Sequence, residues 1–290
     1  MNFGFRWGLT PSKEEAMHSD CKKHDIEDVN RIKALRLIDD DFMNIFFKGN
    51  IQGTELLLKI ILERDDLTIL DVKVQEELTN IMGRSVVLDI YASDKFGNKY
   101  DIEIQRADKG ATPKRARFHS SIMDTNTLNK GESYDDIKET YVIFITEHDV
   151  LGMNEPIYHI ERIIREGNVQ FEDGTHIIYV NASMKCENTP LGRLMQDFYC
   201  TVADDMCYKE LADKVRYFKE TEEGEEFMCD ILNEMKIEAK NEGILEGKIE
   251  GKIEVAQELI KNGKLSLEDI AESTGLSIER IRELAGNKSA

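Results

Sequence analysis

The sequence predicts an α/β domain followed by a helical C-terminal appendage, and three observations carry that reading. Short segments rich in β-branched residues alternate with amphipathic stretches in the order helix, three-stranded meander, helix, strand. From LGRLMQDFYC (191–200) to the C-terminus the pattern is helical, with few breakers. The chain has 290 residues, 41% of them hydrophobic, enough for a buried core and too apolar for a wholly disordered chain.

Residues 1–30 are polar, lack a sustained period and read as an N-terminal arm ahead of a domain spanning 31–215. RIKALRLIDDDFMNIFF (31–47) begins the helical pattern. In NIQGTELLLKIILE (50–63), Leu56, Leu57, Ile60 and Ile61 recur at helical spacing, with Thr54 as the N-cap and Glu55 in the first turn. LTILDVKV (67–74) reads as a strand. SVVLDIYA (85–92) and KYDIEIQ (99–105) read as a hairpin, because the intervening SDKFGN holds Gly97-Asn98 for a tight turn. Thr112-Pro113 supplies an N-cap and first helical position for a helix over 112–129, YVIFIT (141–146) is an internal strand, and HIIYVN (176–181) adds another.

Residues 216–262 form an acidic helical linker, in which 219–250 hold four lysines against eleven acidic residues. Its EGxxEGxx repeat stacks Gly243, Gly247 and Gly251 on one helical face. That face is either a solvated weak helix or a close helix–helix contact, and the cost of about 1 kcal/mol per glycine relative to alanine favours the first. In 263–290, Ser266 and Ser277 are N-cap candidates, Asp269 completes a capping box and Gly275 sits at a turn, which gives a small helix-turn-helix-like tail. Arg280 and Arg282 there stand beside Glu279 and Glu283, so packing or self-association into a homo-oligomer suits the tail better than base reading.

With 38 basic against 57 acidic residues, the net charge of -19 excludes a chain-wide positive field toward nucleic acid or anionic lipid. A polyanion must meet a local patch. Residues 105–130 provide one, with Arg106, Lys109, Lys114, Arg115, Arg117 and Lys130 against Asp108 and Asp124, a local net of +4. By itself that stretch reads equally well as a solvated helix face. No apolar run reaches the roughly 18 residues a membrane span needs. Five cysteines without CxxC spacing, and a start without a secretory pattern, point to the reducing cytoplasm. His18, Cys21 and His24 fall short of the four ligands of a structural zinc site.

Alternation places Asp89 and Tyr91 on one face of their strand, and Asp101, Glu103 and Gln105 on one face of the next. A turn centred on Phe96 sets residues 89 and 103 opposite each other. Two facing carboxylates repel, and either a proton or a divalent cation must compensate. Hard oxygen ligands on a rigid hairpin suit Mg²⁺ or Mn²⁺, and Glu55 adds a third carboxylate if its helix packs alongside. On spacing alone, the same residues also fit an ordinary half-exposed sheet.

LDIYASDKFGNKYDIEIQ (88–105) resembles the Asp, spacer, Glu-x-Gln signature of the PD-(D/E)XK nucleases known as recombination-promoting nucleases or putative transposases. FMNIFFKGNIQGTELLLKIIL resembles that family's opening helix, and RARFHSSIMDTNTLNKGESYDDIKETYVIFIT its second helix and following strand; similarity extends over roughly residues 40–285. The resemblance implies a restriction-endonuclease-like core and a Mg²⁺- or Mn²⁺-dependent DNA endonuclease linked to recombination or mobile elements. It implies Asp89 and Glu103 as metal ligands, Gln105 in the place usually held by lysine, and Glu55 as the opening-helix acid. Arg115 and Arg117 match a second-helix arginine, and Arg106, Lys109 and Lys114 join them as DNA contacts. Glutamine carries no charge and moves no proton at neutral pH, so it can only orient water or a phosphate oxygen. The alternative is a catalytically weak DNA-binding or protein-interaction module that retains the nuclease fold.

Overall fold

The computed structural model describes residues 26–79, 83–106, 110–128 and 131–286, and the chain divides into two compact units, 1–225 and 226–290. The first unit opens with helices α1 (Ile26–Ala34), α2 (Asp40–Phe47) and α3 (Ile51–Leu62). Helix α2 buries Phe42, Met43, Phe46 and Phe47, an apolar face compact enough to hold the sheet. The cap of α3 differs from the one expected. Asn50, not Thr54, accepts the Gly53 N–H at 3.1 Å, and Thr54 lies one turn inside, on the buried face with Leu57, Leu58 and Ile61. Asparagine caps as well as threonine does, and the helix therefore starts a turn earlier.

A six-stranded sheet follows, built from β1 (Ile69–Thr79), β2 (Ser85–Asp94), β3 (Lys99–Gln105), β4 (Thr140–Thr146), β5 (Ile157–Ile160) and β8 (Thr175–Asn181), in the order β1-β2-β3-β4-β8-β5. Strands β1, β2 and β3 form the antiparallel meander, β3, β4 and β8 run parallel, and β5 closes the far edge antiparallel to β8. Every residue of β4 is buried, as a central parallel strand covered on both faces must be. Strands β6 (Ile163–Ile164) and β7 (Val169–Gln170) make a small separate hairpin. Neither it nor β5 stands out in the sequence, since such short strands have too few residues to show a period.

The β2–β3 turn is fixed by one buried side chain. Asp94 accepts the N–H groups of Phe96 and Asn98 and the Asn98 amide, each at 2.9 Å, together with the Tyr100 hydroxyl at 2.9 Å, while Gly97 takes the positive φ of 88° that the turn requires. The resulting register pairs Ile90 with Ile102 and Tyr91 with Asp101. After β3, helix α4 (Pro113–Thr125) begins at Thr112, whose hydroxyl accepts the Arg115 N–H at 3.3 Å. Its Ala116, Ile122 and Met123 join Val142, Phe144 and Tyr179 in one core, which lays the helix over the sheet. Helices α5 (Pro190–Tyr199) and α6 (Lys209–Glu220) complete this unit.

Helix α7 (Glu222–Asn262) runs unbroken for 41 residues, and the division between the units falls within it. In the second unit, α8 (Leu267–Thr274) and α9 (Ile278–Gly286) pack on it around Ala256, Ile270 and Ile281. The Ser266–Asp269 capping box forms, and Gly275 ends α8 at φ 65°. A Cβ added at Gly243, Gly247 or Gly251 would meet nothing, so none of the described helices of the second unit packs closely on that face. None of the described helices is long and apolar enough to cross a membrane.

Candidate active site

The site lies where β2 and β3 part. Their paired register ends at Ile90 and Ile102, and carboxylates take over the hydrogen bonding beyond it. Glu103 Oε1 accepts the Asp89 N–H at 3.1 Å, and Asp89 Oδ2 accepts the Ile104 N–H at 3.2 Å. Strand β3 stays paired with β4 out to Gln105, so the acids stand on a rigid strand. On Asp89 the second oxygen, Oδ1, accepts from the Gln75 amide at 3.4 Å, and Gln75 itself holds a left-handed φ of 53°.

Helix α4 covers the acids with Arg115 and His119, one turn apart and hence on one face. The Arg115 Nη2 donates to Glu103 Oε2 at 2.7 Å, Nη1 to Gly110 O at 3.1 Å and to Gln105 Oε1 at 3.4 Å, and Nε to His119 Nε2 at 3.3 Å. Because a guanidinium only donates, His119 Nε2 must accept and Nδ1 must carry the proton, which goes to Asp101 Oδ2 at 2.9 Å. Asp101, Glu103 and His119 are all buried, and they offer ligand atoms within 4.8 Å of one another.

Burial raises the Asp101 carboxyl from its ordinary 3.8 to about 8. Glu103 is raised as well, first by burial and then by the charges of Asp101 and Asp89, while burial also raises Asp89. Desolvation holds His119 below its usual value, in line with its neutral tautomer. Of the three carboxylates Glu103 pairs with the guanidinium, and Asp101 Oδ1 is buried with no hydrogen-bond partner among the described residues. A hard divalent cation fits such a donor set.

The family model described as PD-(D/E)XK nuclease family transposase matches residues 38–189, just over half of the chain, from the start of α2 through β8. The chain belongs to that family. Its fold is therefore restriction-endonuclease-like, as the resemblance implied, and the order helix, meander, helix, strand is the one observed. No curated protein and no solved structure matches the chain.

Within this PD-(D/E)XK frame, the structure brings Asp89, Glu103, Gln105 and Arg115 together, and sets Glu55 elsewhere. Glu55 bonds Lys59 at 2.7 Å and the Ile69 N–H at 2.9 Å, so both of its oxygens are engaged at the start of β1, where Ile69 pairs with Asp94. That is the turn end of the hairpin, roughly 17 Å along β2 from Asp89 at the usual rise per residue. The expected basic face is also thinner than the sequence implied. Arg106 is tied to Asp39 at 3.1 Å and Glu147 at 3.3 Å, Arg115 turns inward, and Lys114 and Arg117 remain exposed on α4. Lys109, Lys130, His18, Cys21 and His24 lie outside the described residues. The sequence reading missed Asp101, His119 and Gly110 as parts of the site. A signal was present for two of them, since Asp101 shares the Glu103 face and His119 lies four residues beyond Arg115.

Proposed function

We propose that the chain is a divalent-cation-dependent DNA endonuclease acting in recombination or on mobile elements, with Asp89 and Glu103 as the ligands of Mg²⁺ or Mn²⁺. The observation that carries this reading is the convergence of Asp89 and Glu103 at the parting of β2 and β3, where each side chain accepts a backbone N–H beside the other. When bound, the cation supplies charge for the phosphate oxygens and lowers the pKa of a water. Asp101, whose Oδ1 has no hydrogen-bond partner among the described residues, stands beside Glu103 as a further oxygen donor. With its Oε1 engaged by Arg115, Gln105 keeps its Nε2 donors to orient the attacking water or a nonbridging oxygen. The water oxygen bonds to phosphorus and the P–O3′ bond breaks; the proton shed by the water is matched by one that the leaving 3′ oxygen takes from solvent. Lys114 and Arg117 would meet backbone phosphates, in contacts that are salt-sensitive and blind to sequence. Cys186, Cys200 and Cys207 are free thiols, which suits a reducing cytoplasm.

Plasmid nicking tests the reading. Wild-type protein should nick with Mg²⁺ or Mn²⁺ and not with EDTA, and Asp89→Ala should fall to background; equal cleavage by the variant overturns the site. A second reading, a catalytically weak DNA-binding or protein-interaction module on the same fold, is favoured by one observation: both Glu103 oxygens already hold hydrogen bonds within the protein. Retained DNA binding without nicking in any metal would select it.

A further inference from the structure

Resting on the nuclease reading, we propose that Arg115 is the cationic catalytic group of this site, contacting the scissile phosphate in place of the missing strand lysine, and that His119 and Asp101 are its positioning pair. The geometry is specific. Gln105 sits at the strand position from which a charged side chain would reach the acids, and it is neutral. The Arg115 guanidinium lies against the Gln105 carboxamide and reaches Glu103 itself, so positive charge enters the same spot from α4.

Four of the five guanidinium N–H groups have acceptors among the described residues, in His119, Gly110, Gln105 and Glu103. One Nη2 hydrogen is left. The Arg115 side chain is 36% exposed, whereas Glu103 beneath it is not exposed at all, so that remaining donor belongs to a group at the solvent boundary of the acid cluster. A nonbridging phosphate oxygen is the acceptor a guanidinium favours.

Arg115 is also held more firmly than an ordinary surface arginine. The chain Asp101 Oδ2, His119 Nδ1–H, His119 Nε2, Arg115 Nε–H fixes the tautomer at one end and the guanidinium plane at the other, and the Phe144 ring lies 5.9 Å from its Cζ. Gly110 contributes by having no side chain: a Cβ there would lie 1.7 Å from Gln105 Oε1. A guanidinium offers donors and no acceptor, so its part is to stabilise charge on the phosphate and not to take up a proton.

The test is single-turnover nicking with Mn²⁺, alongside direct Mn²⁺ binding to the metal-free protein and thermal melts. Arg115→Gln should lose about 10²–10³-fold in rate, as removal of one preorganised donor does, with Mn²⁺ affinity equal to or tighter than wild type. Arg115→Lys keeps the charge and should stay within about tenfold of wild type, and adding Gln105→Lys to Arg115→Gln should restore at least about tenfold. His119→Ala should slow the wild type by about 10–100-fold but leave the rate of Arg115→Gln unchanged, since it acts only through the arginine. Equal rates for Arg115→Gln and Arg115→Lys, or the same His119→Ala loss in both backgrounds, would overturn the assignment. Asp89→Ala separates the two ideas. If it is inactive while Arg115→Gln cleaves as wild type does, this inference alone fails; if wild type does not nick with Mn²⁺, the nuclease reading fails and takes the inference with it.

Discussion

Two acidic regions of the chain meet opposite fates. Along α7 the glutamates from Glu222 to Glu250 with described side chains are mostly exposed, and water solvates each charge. At the β2–β3 parting, Asp101 and Glu103 are fully buried with Asp89 beside them, and burial lifts all three carboxyls. The residue types are the same and only the surroundings differ. A surplus of solvated acid governs solubility and the sign of the long-range field. A few buried acids make a demand that a proton, a guanidinium or a cation must meet, and that demand is what a reaction can use.

The glycines sharpen the contrast and give the largest expected effect. Gly110→Ala would drive a Cβ to 1.7 Å from Gln105 Oε1, displacing the carboxamide and with it the Arg115 contact. A displacement of that order costs about 10²-fold in rate when it moves a positioned group. Nicking kinetics should show that loss with little change in the far-ultraviolet circular dichroism spectrum; an unaffected rate would mean that Gln105 does not orient the reacting groups.

Next in size is the response to pH. Asp101 and Glu103 keep in the folded state protons that they would give up, when unfolded, near 3.8 and 4.5. Their contribution to stability is therefore fully present below about pH 4 and is lost as pH rises through about 8. The EDTA-treated protein should melt lower at about pH 8.5 than at about pH 5.5, and Mn²⁺ should raise the melting temperature more at the higher pH, because the ion replaces the departing protons. A metal-induced shift that is the same at both pH values would count against these carboxylates as the binding set.

The smallest effect belongs to α7. Alanine at Gly243, Gly247 or Gly251 meets open space, and each replacement should stabilise the helix by about 0.5–1 kcal/mol without touching nicking. Denaturant melts of the full chain measure it. A destabilising outcome would show that this face has a partner in solution, and the contrast between the two acidic regions would narrow.

Local rules made much of this legible. The turn centred on Phe96 sets the observed pairs Tyr91–Asp101 and Ile90–Ile102, Thr112-Pro113 opens α4, and Ser266 with Asp269 closes a capping box, each from contacts a few residues apart. What stayed hidden depends on what lies above the sheet. Alternation in KYDIEIQ looks the same whether the acid face meets water or a helix, and only α4 decides that Asp101 and Glu103 are enclosed. The second partner of Glu55 was hidden for a similar reason, since the Ile69 N–H that engages it lies across a chain turn, whereas Lys59 is its neighbour four residues along the same helix. For His119 the spacing from Arg115 shows only that the two share a helix face, and its other partner, Asp101, stands on a separate element.

The Asp94 cage at the hairpin turn reaches further than its position suggests. It accepts four donors and touches none of the reacting groups. Strand pairing shifts in whole residues, and a slip of one would rotate Glu103 to the opposite side of the sheet and bring Ile104 into its place. The choice of which side chains look toward α4 is thus made at a bend several residues away, by an aspartate that works like the detent of a ratchet.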